Sequence, residues 1–195
     1  NGISGLTDMN LASGATINVD ASEVTEMLAD ETAGRLTIGD QAITVTGEIT
    51  AMLADESAGR LTIDDQAITV TGEITVDNAN LLNATTSGAI TASIDTSETV
   101  DELSTLSGTG AYTIVISGAD ATTTTASEFN AINAKTTSAV SLTNVTALAA
   151  SSLSDLGTLA TAIGNGEFSS ATGLTTIAVS DTTIEATTLA ARISS

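Results

Sequence analysis

Short runs of this chain alternate β-branched apolar residues with small polar ones: Ile43–Thr46, Ile68–Thr71, Ala89–Ile94, Thr113–Ser117, Ala139–Thr143 and Thr176–Val179. A period of two with this composition predicts half-buried strands. Between the runs the spacing changes. Ala149, Leu153, Leu156, Ala160 and Ile163 follow steps of 4, 3, 4 and 3, the stripe of an amphipathic helix. Helix starts are marked as well. Thr125-Ala-Ser-Glu128 and Thr182-Thr-Ile-Glu185 have the capping-box pattern, and Asp20, Asp95 and Asp181 stand where an N-cap carboxylate would. Gly34, Gly59, Gly88 and Gly157 are placed as turns or helix stops. The chain has no Pro, so nothing interrupts a strand ladder.

These elements recur in a fixed order. Residues 27–50 read MLADETAGRLTIGDQAITVTGEIT, and residues 52–75 read MLADESAGRLTIDDQAITVTGEIT; only Thr32/Ser57 and Gly39/Asp64 differ. A match of that closeness is a duplication, and a duplicated segment persists when it stacks on its parent and buries the same face. Degenerate, longer copies fill residues 76–195, and the start from Ala15 repeats the order again. The repeat is strand, short helix, strand, then a helix or turn of variable length. The expected fold is therefore a repeat solenoid of mixed β/α type, one continuous array over residues 1–195. Parallel strands stack repeat on repeat, and short helices on the flanks supply right-handed crossovers. The chain opens mid-pattern at NGISGLTD and closes mid-repeat at ARISS. Solenoid ends need polar caps, so the expectation is a fragment of a longer array or ends that pair with other copies.

Composition supports thin aliphatic layers. The chain is 42% hydrophobic but only 2% aromatic, with Tyr112, Phe129 and Phe168 alone, whereas an ordinary core recruits aromatics that bury ~150–250 Å² each. Charge then excludes partners. With 24 acidic and 4 basic residues (Arg35, Arg60, Lys135 and Arg192), the net charge of −20 repels nucleic acid and anionic membranes. No apolar run approaches the ~20 residues that cross a bilayer, so membrane insertion is not expected. The chain also lacks Cys and His. That removes Cys/His zinc sites and His-dependent nucleophilic triads, and no enzyme activity is expected.

The runs GISGL and AVSDTTIEATTLAARI, and the recurring strand-Asp-Thr/Ser-helix-NATTSG pattern, resemble repeats of giant secreted or cell-surface proteins of marine cyanobacteria and other marine bacteria. The resemblance spans essentially the whole chain. It implies an extracellular structural protein that forms a surface fibre, sheath or layer, with itself or flanking repeats as partner. A spacer in a large adhesin or phage fibre is the alternative. The GGxGxD nonapeptide of repeats-in-toxin modules is missing, so calcium does not carry over by motif.

Three chemical features remain. Asp20, Asp40, Asp64, Asp65, Asp95 and Asp181 lie at strand ends and could stack into an acidic column offering carboxylates to calcium, a hard cation that takes six to eight oxygen ligands. The same residues suit helix caps and turn closures, which is the preferred reading. Thr-rich runs (ITVTG, Thr122–Thr125, TTIAVSDTT) raise the possibility of an ice-binding array. Their spacing drifts between repeats, and ordinary outward-facing strand Thr, the preferred reading, explains the same residues. Finally, Met27 and Met52 sit beside Leu28 and Leu53 as core fillers, while Gly39-Asp40 and Gly164-Asn-Gly166 read as turns rather than phosphate loops.

Overall fold

A computed structural model describes residues 9–10, 16–20, 36–37, 42–46, 49–57, 65–116, 123–143 and 145–182. The readings placed on Met27, Gly34, Gly59 and the Thr182–Glu185 box lie outside or run beyond these residues. The described elements include both strands and helices, and the fold is mixed α/β. The chain forms two compact units: residues 1–95 with 106–112, and residues 96–105 with 113–195.

In the first unit, β1 (Met9–Asn10) pairs in parallel with β3 (Leu36–Thr37). The main sheet has the order β2 (Thr16–Asp20), β4 (Ala42–Thr46), β5 (Ile68–Ile74), β6 (Ile90–Ile94) and β7 (Ala111–Thr113). Its first three pairs are all parallel. Parallel neighbours require a crossover. Helix α1 (Thr50–Ser57) lies between β4 and β5, and α2 (Val76–Thr85) between β5 and β6. Register puts like on like: Ile43 faces Ile68, Val45 faces Val70, and Ile68 faces Ile90. All five are buried, with Met52 and Leu82 from the helices. A column of like branched side chains packs from β4 to β6, and the aromatic Tyr112 is buried on β7.

One turn explains why Gly88 is glycine. The Thr86 hydroxyl donates to the Gln66 carbonyl at 2.7 Å and accepts from the Gly88 N–H at 2.9 Å. This draws the turn so close to the preceding strand that a Cβ on Gly88 would lie 2.1 Å from the Gln66 carbonyl oxygen. The second unit repeats the turn at Lys135-Thr-Thr-Ser138, where the Thr136 hydroxyl accepts from the Ser138 N–H at 3.0 Å.

The second unit carries α3 (Val100–Ser104), α4 (Ala126–Asn133) and α5 (Leu153–Gly164). Its strands are β8 (Val140–Ser141), β9 (Ala147–Ser151), β10 (Phe168–Ser169) and β11 (Thr176–Val179). Strand β8 pairs in parallel with β10, and β9 in parallel with β11. The Thr125–Glu128 capping box is present with both reciprocal bonds.

Four expectations need correction. The helix after β6 is not capped by Asp95 but by Thr99, whose partner Glu102 completes a capping box. Regular pairing of β7 ends at Thr113, and Val115 makes a single bridge to Ser141, so the strand expected over Thr113–Ser117 begins and ends early. Ala149 belongs to strand β9 and not to the helical stripe; Ala-rich sequence has weak strand propensity, and pairing with β11 overrides it. The buried face of α5 is Gly157, Leu159 and Ala162, with Ala160 exposed, so Gly157 is an interior helix position rather than a stop.

Candidate functional site

The strand-end aspartates divide by which end they occupy. Asp20 ends strand β2 and Asp95 and Asp181 follow β6 and β11, whereas Asp65 precedes β5. Because β2, β4, β5 and β6 run parallel in one sheet, Asp65 sits at the edge opposite Asp20 and Asp95 and cannot share a column with them; Asp181 belongs to the second unit. Nor is the trailing set a run of carboxylates: register places Thr46 beside Asp20. Asp40 and Asp64 lie outside the described residues, as does the Asp20 side chain. Among the described residues, no three His, Cys, Asp or Glu gather to hold a metal ion.

What these positions do is local. The Asp65 side chain is exposed. The Asp95 N–H donates to the Ile74 carbonyl at 2.9 Å, extending the β5–β6 ladder. Asp181 does cap a helix, but a preceding one: its carboxylate accepts the N–H of Leu153, the first residue of α5, from 28 positions further along. Ser151 makes the same kind of bond. Its hydroxyl accepts the N–H of Ala126, first residue of α4, at 2.9 Å and 25 positions away. A helix start leaves its first amides without partners inside the helix. Here the strand end of the following repeat supplies the acceptor.

Helix ends are tied forward by asparagine. Asn80 accepts from the Ser107 N–H at 2.7 Å, and Asn83 donates to the Ser107 hydroxyl at 3.4 Å. In the second unit, Asn130 donates to the Asp155 carbonyl at 3.1 Å, and Asn133 donates to the Glu167 carboxylate. The pairs occupy matching places, three residues apart and just before the Thr-Thr-Ser turn. Sequence reading placed a turn at Gly88 and took NATTSG only as part of the repeat pattern, and so missed the clasp. The signal was present as Asn80/Asn83 set against Asn130/Asn133.

The ends of α4 and α5 leave an open cleft of about 470 Å³, lined by amides and hydroxyls around Glu167. Asn165 also donates to that carboxylate, at 3.2 Å. The lining has one carboxylate, so the paired-carboxyl chemistry of glycoside cleavage has no second member there. Elsewhere among the described residues, Glu102 and Tyr112 are shifted. Glu102 is held below the ordinary carboxylate range, first by the Thr99 backbone N–H and then by the Thr99 hydroxyl. Burial pushes the Tyr112 phenol up. No helix among the described residues is long and apolar enough to cross a membrane.

No protein-family model matches the chain, and no curated protein or solved structure matches it either.

Proposed function

We propose that this chain is a repeat solenoid of a structural protein, extracellular in setting, which works by assembling into a fibre, sheath or layer rather than by catalysis. The observation that carries the reading is strand register. Ile43 faces Ile68 and Ile68 faces Ile90, each pairing one repeat to the next. In the second unit Val140 faces Phe168 and Ala147 faces Thr176 at similar separations. Pairing 22 to 29 residues away, one repeat to the next, is what nearest-neighbour stacking produces, and stacking can continue as long as repeats are supplied. The helix caps and asparagine clasps act over 24 to 34 residues, so each repeat completes its predecessor. A surface of net charge −20 keeps such an assembly hydrated and invites bridging by cations.

Electron microscopy of the purified chain, with millimolar calcium and with chelator, tests this reading. Filaments or sheets are the expected result, and their loss in chelator would make cation bridging part of the assembly. Discrete particles in both conditions, monomeric by sedimentation, would overturn it in favour of a spacer segment in a larger adhesin.

A further inference from the structure

We propose that the outward face of the first unit's sheet binds ice, a role separate from assembly. Inward positions on three neighbouring strands are apolar and buried: Ile43 and Val45, Ile68 and Val70, Ile90 and Ala92. The residues between them point outward, and Thr69, Thr71 and Thr91 are exposed. Register sets these residues in rows. Asn18 faces Thr44, Thr44 faces Thr69, and Thr69 faces Thr91. The drift seen along the chain is a matter of repeat length. Extra residues in β5 fall between Thr69 and Glu73, beyond the aligned threonine. A second row runs beside the first. Asp20 faces Thr46, and the Thr71 hydroxyl reaches across to the Val45 carbonyl at 3.3 Å.

The dimensions of such an array follow from strand geometry. Neighbouring parallel strands lie about 4.7–4.9 Å apart, and outward residues two positions apart lie roughly 6.6–6.8 Å apart. Both repeats are close to those between water oxygens on a prism face of ice. Threonine offers a hydroxyl that donates and accepts, beside a methyl group around which water is ordered.

Charge selects this occupant over others. The chain carries 24 acidic residues, yet Ala42-Ile-Thr44-Val-Thr46, Ala67-Ile-Thr69-Val-Thr71 and Ala89-Ile-Thr91 contain none. Among the side chains described on these strands, the Glu73 carboxylate lies beyond the aligned threonine. A cation or a basic protein would be met by the acidic surface elsewhere; a neutral crystalline lattice is matched by a neutral face.

The test is partitioning of the full chain into slowly grown ice, together with inhibition of ice recrystallisation. The chain is expected to be enriched in the ice relative to the residual liquid and to keep ice grains small. Thr69→Lys with Thr91→Lys places two charges in the first row and should abolish both effects; Thr158→Lys, on an exposed helix position, should retain them. The isosteric pair Thr69→Val with Thr91→Val keeps the strand residues β-branched and should weaken both. Exclusion of the unaltered chain from ice would overturn the proposal, as would a folded lysine variant that partitions as the unaltered chain does.

Discussion

Tyr112 is the only tyrosine in the chain, and its side chain is fully buried with its ring against Gly110, where a Cβ would lie 2.6 Å from the ring. Burial penalises the phenolate and not the phenol, so the group titrates higher in the folded chain than in the unfolded one. Linkage then sets the direction. The folded state holds this proton more tightly, so its contribution is complete below the unfolded tyrosine value of about 10 and is lost as pH rises through the folded value. Alkaline titration followed by phenolate absorbance should show no ionisation near that unfolded value while circular dichroism remains native. Absorbance should rise only as the fold is lost. A phenolate signal appearing near pH 10 in a chain that is still folded would place the ring in contact with water.

At the scale of elements, helices depend on neighbours in the next repeat. The Ser151 hydroxyl accepts from the Ala126 N–H at 2.9 Å and donates to the Ala149 carbonyl at 2.8 Å, within a residue that is buried. Ser151→Ala strands a buried amide at the start of α4, a defect worth about 1–3 kcal/mol. The expected result is a lower urea midpoint and faster hydrogen exchange at Ala126, with the start of α5 unchanged. An unaltered Ala126 exchange rate would show that Thr125 and Glu128 cap α4 unaided. This bond also marks where sequence reading stops. The Thr125–Glu128 box was legible because its partners are three residues apart, and alternation revealed β4, β5, β6 and β11 because period two is local. The Ser151 and Asp181 caps join residues 25 and 28 positions apart and leave no local trace. Strand β9 was hidden for a related reason: Ala-Leu-Ala-Ala-Ser reads as helix until β11 supplies its ladder. The arrangement of the aspartates was not legible either, because a list of strand-end residues does not say which end each occupies: Asp95 follows β6, whereas Asp65 precedes β5.

Over the whole molecule, the near-identical duplication allows a direct test of whether layers are interchangeable. Deleting residues 44–68 joins Ile43 to Thr69 and leaves one complete copy of the duplicated segment. The fused strand keeps the leading half of β4, which pairs with β2, and the trailing half of β5, which carries the shifted register toward β6. Ile43 takes the place of Ile68 opposite Ile90, an identical side chain at the same register. If each repeat is held only by its neighbours, the shortened chain folds, unfolds cooperatively, and loses stability and denaturant sensitivity in proportion to the layer removed. A core closed around long-range contacts would instead collapse, because removing one whole strand and its helix opens a cavity that no relaxation fills. Far-ultraviolet circular dichroism and a urea titration separate the two outcomes. A native-like spectrum with a smaller slope supports stacking. An unfolded or molten product would show that the like-on-like register of the sheet serves a closed core and that its layers are not separable.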